Sequence, residues 1–478
     1  MTTLVWFRQD LRLADNPALT AALAAGGPVI PVYVFAPGEE LGWRPGGAAR
    51  WWLHQSLARL NASLIERGSQ LCIRAGGDSL SVLRALIRES GAERVVWNRR
   101  YEPAIIARDR NIKAALRADG LETGSYNSAL LNEPWTIRTK SGGPFQVFTP
   151  FWRHCLTLPD PHDPLPAPQG LRAPRAWPES LEVDALELRP RPDWASGIGA
   201  AWEPGASAAH ARLTEFLADA LESYQDLRDR PGAHGTSRLS PYLHFGEIGP
   251  REIWHALRRR AEAAGQHSSW RDSRFLAEVG WREFAHHLLY HFPHTPERPL
   301  RARYERFPWK SNPSALRAWQ RGATGYPVVD AGMRELWCTG WMHNRVRMIA
   351  ASFLVKDLLL PWTDGARWFW DTLVDADLAS NTLGWQWVAG CGADAAPFYR
   401  IFNPVTQGTK FDPAGSYVRR WVPELAALPN EWLHQPWAAP PAVLSAARVE
   451  LGVNYPHRVV EHEAARQAAL SAFATLKT

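Results

Sequence analysis

Short β-branched runs alternate with segments of helix length through residues 1–130, and this alternation limits the possible fold more than any other feature of the chain. Runs at 3–7, 28–35, 70–74, 94–97 and 121–126 read as strands, and the stretches 17–25, 48–67, 79–90 and 104–118 between them read as helices. Strands separated by helices of this length pair in parallel, with helices over both faces of the sheet. The first domain, 1–130, is therefore expected to be α/β, an open parallel Rossmann-like sheet that binds ligands at the carboxyl ends of its strands. Prolines then crowd the chain from about 156 to 204. We read 131–204 as an interdomain connector stiffened by proline. Beyond 205 apolar residues recur at helical spacing over 207–222, 250–264, 272–291, 313–321, 327–338, 342–360 and 364–373. The second domain, 205–478, is expected to be all-α.

A chain of 478 residues with 46% hydrophobic and 21% charged residues suits such a globular pair. It lacks an apolar run long enough to span a membrane. Arg8, Asp10 and Arg12 interrupt what would be the apolar stretch of a secretory signal, so a cytoplasmic location is expected. The four cysteines have neither CxxC pairing nor zinc spacing and read as reduced thiols, with no metal site. A net charge of +6 suits a polyanionic partner but is common in proteins without one. The tryptophan count is less ordinary: 25, against 17 Phe and 11 Tyr. Indole packs well and donates one hydrogen bond, which is the plain reading. It is also readily oxidised by one electron, and its face stacks on flat bases.

Three segments carry residues that are costly for packing alone. Gly235 to Gly246 (GTSRLSPYLHFG) places hydroxyls and an arginine before a helix start, where an anion such as a pyrophosphate is favoured. An ordinary helix cap explains the same residues. Gly340 to Ala350 (GWMHNRVRMIA) puts Asn344, Arg347 and Met348 on one helix face, lining a pocket or simply occurring on a buried amphipathic helix. Asp375 to Gly390 (DADLASNTLGWQWVAG) combines two acids, an amide and two tryptophans; Trp385 and Trp387, two apart, face different directions. A polar loop ahead of a core helix is the alternative.

Together with Phe275 to Phe284 (FLAEVGWREF), these segments resemble the photolyase and cryptochrome family. The likeness runs from Leu4 to Pro404 and is greatest to the bacterial cyclobutane-dimer photolyases. The resemblance implies FAD held in the helical domain in a folded conformation and used as FADH⁻. Tyr224, Thr236, Ser237, Arg238, Leu239 and Ser240 would contact its phosphates and ribityl chain. Arg347 and the Asp375, Ala376, Asp377 segment would surround the flavin and ribose, and Asn381 would face flavin N5. A neutral amide there suits a reduced anion.

The resemblance further implies that UV-damaged DNA is the partner, with the dimer flipped out of the duplex into a pocket beside the flavin, as photolyases do with their target bases. Glu278, Trp281, Asn344, Met348 and Trp387 would line that pocket, and Arg228, Arg282 and Arg345 would hold flanking phosphates. Trp385, Trp362 and Trp309 match the family's electron-carrying chain, while Trp51, Trp52 and Trp368 are left to packing. A second, antenna chromophore is expected on the first domain, 5,10-methenyltetrahydrofolate rather than a deazaflavin. A folate pattern of Asn-Glu after the Tyr-Glu motif is replaced here by Ala104 and Ile105. Trp97 to Pro103 and Lys140 to Phe145 instead look like class III relatives. A cryptochrome-type photoreceptor is the alternative reading, and a monomer is expected.

Overall fold

The computed structural model describes residues 1–265 and 269–476. Strands β1 (Thr3–Phe7), β2 (Val29–Phe35), β3 (Cys72–Ala75), β4 (Arg94–Asn98) and β5 (Glu122–Tyr126) form one sheet in the order β3-β2-β1-β4-β5. Every pairing is parallel. β1 is buried along its whole length because helices cover both faces. Asn16 caps the helix Pro17–Ala24, accepting from the Leu19 N–H at 3.1 Å, with Pro17 in the first turn where its missing N–H costs nothing.

Chain order reverses between β1 and β4, which opens the ligand crevice at their carboxyl ends. Here the crevice is packed with ion pairs. Arg8 meets Asp109 at 2.5 Å, Arg100 meets Glu40 at 2.9 Å and Glu102 at 2.7 Å, and Arg108 meets Glu39 at 3.1 Å. A cavity of about 50 Å³ remains, closed on its far side by His244, Phe245, Trp370 and Ala376 of the helical half.

The segment 131–204 lies on the body of the protein. It carries the helices Phe148–Cys155 and Ser196–Ala201 and a 3₁₀ turn at Val183–Leu186. Leu171, Leu186, Leu188 and Ile198 are buried.

In the helical half, the expected spans at 207–222 and 342–360 each end in a π-helical turn, Phe216–Ala220 and Phe353–Asp357. Such turns are enriched at functional sites. The helices Leu378–Ala389, Pro404–Phe411, Ser416–Trp421 and His462–Ala474 were not anticipated. One apolar cluster runs from Val5 of β1 through Trp52 and Phe245 to Ala393, so a single core joins the two halves.

Candidate functional site

The Gly235 to Gly246 segment is not the simple cap that its hydroxyls allow. Its helix is only Ser240–His244, and no side chain caps it. Arg238 takes a positive φ of 53°, uncommon for a side-chain-bearing residue. Its guanidinium lies 4.1 Å from the Trp202 ring and 5.1 Å from the Trp341 ring, and its buried Nε has no partner. The Trp341 indole N–H donates to Ser240 Oγ at 3.3 Å, joining this turn to the second segment.

From Trp341 the site continues to Arg347, whose guanidinium lies 5.9 Å from the same ring. Arg347 donates from Nε to the Met342 carbonyl at 2.7 Å and from Nη2 to Asp375 Oδ2 at 2.8 Å. Asp375 is buried, and its Oδ1 has no partner. Two buried polar atoms left unmet in one cluster call for a ligand that satisfies them. FAD fits these atoms chemically: its ribose hydroxyls and ring N–H would be donors for Asp375, and its phosphates would be acceptors for Arg238 and for hydroxyls at Thr236, Ser237 and Ser240. Leu239 and Tyr224 are both buried, the latter packed edge-on against Phe216 and Phe275.

Neighbouring positions are engaged otherwise. Asp377, expected beside the ribose, caps Leu378–Ala389 by accepting from the Ser380 N–H at 2.7 Å. Its other oxygen lies 3.5 Å from His286 Nε2. Burial works against its charge, but His286 and Arg282 hold this carboxyl well below the usual carboxylate range. Ala376 faces the filled crevice at the strand ends. Arg282, expected on a DNA phosphate, donates to the Ala129 carbonyl at 2.6 Å, because that carbonyl and half-buried Asp377 attract its charge. Asn381 donates from Nδ2 to the Ala366 carbonyl at 3.0 Å, which leaves its amide oxygen as the free end.

The expected DNA-facing residues come together around two helices. Arg274–His291 carries Glu278 and Trp281, and Asn344–Ser352 carries Asn344, Arg345 and Met348. Arg228 bonds Glu278 at 2.5 Å, Arg345 bonds Asp229 at 2.9 Å, and Arg345 Nη1 approaches Met348 Sδ at 3.7 Å. One face of Trp281 is already covered: Phe148 stacks on it at 3.8 Å and 9°, so only the opposite face is open to a base. Asn344 is exposed at the start of its helix and Trp387 is half-buried.

The three chain tryptophans are graded in depth. Trp385 is 2% exposed, Trp362 is 4% exposed and Trp309 is half-buried, packed on Phe307 at 4.3 Å. Trp385 also contacts Trp319 at 6.2 Å and Phe369 at 5.0 Å. Trp51 and Trp52 are buried, as packing residues are. Trp368, assigned to packing alone, also ends a surface ladder. Trp337 lies parallel to it at 6.0 Å and 5°, and Trp194 stacks on Trp337 at 6.2 Å.

Sequence reasoning missed Trp341, Phe148 and Asp229. Trp341 was within reach, since it stands inside a segment already singled out. Phe148 was not, because its partner Trp281 lies far along the chain. Asp229 adjoins Arg228, but its contact with Arg345 depends on the tertiary fold.

Two family models match the chain: one described as DNA photolyase over residues 3–169, and one described as the FAD binding domain of DNA photolyase over residues 275–475. A deoxyribodipyrimidine photo-lyase of Agrobacterium fabrum is 50% identical over 99% of this chain and 98% of its own. Cryptochrome-1 of Arabidopsis thaliana is 43% identical over 96% of this chain and 68% of its own. The crystal structure of a bacterial class III photolyase from Agrobacterium tumefaciens superposes with a TM-score of 0.96 at 50% identity, covering 100% of this chain and 98% of that one.

Proposed function

The chain belongs to the DNA photolyase and cryptochrome family, and from that premise we propose that it is a flavoprotein lyase that repairs cyclobutane pyrimidine dimers in DNA under light. Its identity to the photo-lyase of Agrobacterium fabrum exceeds that to Cryptochrome-1 of Arabidopsis thaliana, 50% against 43%. The observation that carries the reading is Asn381, whose amide nitrogen is fixed on the Ala366 carbonyl at 3.0 Å so that a neutral oxygen faces away from it. A neutral group at that position suits a reduced, negatively charged flavin, as repair needs.

The residues then have separable tasks. Arg238, Thr236, Ser237 and Ser240 hold phosphate, Asp375 holds hydroxyl or N–H, and Arg347 places a fixed positive charge close by. Bound, fully reduced FAD supplies the electron that light drives into the dimer and receives it back, so the ring opens without net redox change. Trp387 and the open face of Trp281 stack on the flipped dimer, Glu278 accepts from its base edge, and Asn344 and Met348 close the pocket. Trp385, Trp362 and Trp309 lead from the interior to the surface and serve to reduce oxidised flavin.

For the antenna, a folate is favoured over a deazaflavin. Ligand pockets span roughly 300–1,000 Å³, whereas the strand-end crevice keeps about 50 Å³ and is closed by ion pairs. The parallel rings of Trp337 and Trp368 offer flat, accessible faces for a pterin instead. The protein acts on UV-damaged DNA as a monomer in the cytoplasm.

The test uses an oligonucleotide with one thymine cyclobutane dimer and the photoreduced protein, following the return of thymine absorbance in blue light and in darkness. Recovery in light alone is expected. Bound flavin that photoreduces without any recovery would transfer the assignment to the photoreceptor reading.

A further inference from the structure

An unassigned acid stands between the two walls of the dimer pocket. Glu278 on one wall is held by Arg228 at 2.5 Å, and Arg345 on the other is held by Asp229 at 2.9 Å. Asp229 Oδ1 also lies 3.9 Å from Arg228 Nε, within one short movement of a full ion pair. In the free protein the groups expected to meet DNA are therefore occupied with one another. Arg345 has an internal anion where a phosphate would sit, and Glu278 has an internal cation where a dimer would sit. Arg345 is additionally fixed over the Phe411 ring at 4.4 Å, and its buried Nε has no partner.

We propose that Asp229 is a positioning residue that passes phosphate capture at Arg345 on to Glu278. The proposal rests on the repair reading above. A DNA phosphate that takes Arg345 displaces Asp229, because the phosphate competes for the same N–H donors and repels the neighbouring carboxylate. Asp229 then takes Arg228, already 3.9 Å away. Arg228 no longer needs Glu278, and the Glu278 carboxylate is released to accept from the dimer. Each arginine keeps one anion throughout, and no charge is left buried alone, which is the condition that makes such an exchange inexpensive. Undamaged DNA frees Glu278 from Arg228 but gives it nothing to accept from, so only a dimer recovers the lost ion pair. Asp229 thereby favours damaged over undamaged DNA.

Flavin-loaded wild type, Asp229→Asn, Asp229→Glu and Asp229→Asn/Glu278→Gln are compared by dark binding to matched duplexes with and without one thymine dimer, and by repair at saturating DNA in light. For Asp229→Asn the ratio of the two affinities should fall about tenfold, with flavin content and saturated repair kept. Asp229→Glu should recover most of that ratio. The double variant should discriminate no worse than Glu278→Gln alone, measured beside it as the second single variant, because the relay has already lost its end. An unchanged ratio in Asp229→Asn, or losses that multiply in the double variant, would overturn the relay. A fall in flavin content and saturated repair together would likewise overturn it in favour of a structural role. Wild-type protein that repairs nothing in light would defeat the repair reading itself, a result separate from any of these.

Discussion

Trp309, half-buried where Trp362 and Trp385 are almost fully enclosed, is the member of the proposed tryptophan chain that meets solvent. Phenylalanine fills nearly the same space there but is much harder to oxidise. Trp309→Phe should therefore slow photoreduction of oxidised flavin at least tenfold while leaving repair intact once the flavin is reduced chemically; loss of repair in that second assay would remove Trp309 from the chain. Glu278 makes a different kind of contribution. Glu278→Ala deletes a charge-assisted acceptor, worth roughly 1.5–3 kcal/mol, and should weaken dimer binding about tenfold or more with the flavin spectrum unchanged. A collapsed flavin spectrum would assign Glu278 to the scaffold. Trp337 tests the antenna proposal: if a folate sits on the surface ladder, Trp337→Ala removes its middle ring and should strip the folate while sparing flavin, as absorbance spectra of the purified protein would report.

The helix Pro327–Thr339 delivers Gly340 and Trp341 to the site, and its start is tied down by one buried acid. Asp330 accepts from the Thr324 N–H at 2.7 Å, the Thr324 hydroxyl at 2.6 Å, the Gly325 N–H at 3.0 Å and the Tyr455 hydroxyl at 2.8 Å. Asp330→Ala leaves these donors buried and unmet, so a loss of roughly 3 kcal/mol is expected, read as a lower Tm with earlier flavin release on heating. An unchanged Tm would mean that the network contributes nothing net. At this scale much of the fold was legible. The strands of the first domain and the helices between them were found within a few residues, because alternation of β-branched runs with helix-length spacers has a single physical reading. Leu378–Ala389 was missed because its polar residues, Ser380, Asn381, Thr382 and Gln386, are spread among the apolar ones on every side, so it has no stripe to detect. The π-helical turns were missed because one extra residue per turn leaves the apolar spacing almost unchanged. Within the candidate site, the pairing of Arg347 with Asp375 joins two segments that the sequence singles out separately, whereas the helix cap at Asp377 and the bond from Arg282 to the Ala129 carbonyl are local uses that no motif displays.

Because one apolar cluster spans both halves of the molecule, a titratable group buried at their junction acts on the stability of the whole. Glu247 is that group. It is fully buried, and accepts from Trp52 Nε1 at 3.1 Å and from Ser56 Oγ at 2.6 Å, both on the helix Gly47–Ile65 of the first domain. Burial outweighs these two bonds and pushes its carboxyl up to about 8. The unfolded chain releases this proton near pH 4.5, whereas the folded protein keeps it to about 8. Between those values the folded state holds more protons, so raising the pH favours unfolding. His343 and His287 act in the opposite sense: burial pushes both down to about 4, so their contribution is lost as pH falls from 6.5 to 4. Stability should therefore decline on the acid side through the histidines and on the alkaline side through Glu247. Glu247→Gln separates the two, since an amide cannot titrate. Relative to wild type, the variant should gain as pH rises from 5 to 8, by roughly 2 kcal/mol, the scale of an imperfectly satisfied buried polar group. Its acid-side decline should stay as in wild type. Thermal melts across this range would show the two curves converging at low pH and separating at high pH. Parallel curves would mean that Glu247 is already ionised in the folded protein and that Trp52 and Ser56 suffice to hold its charge.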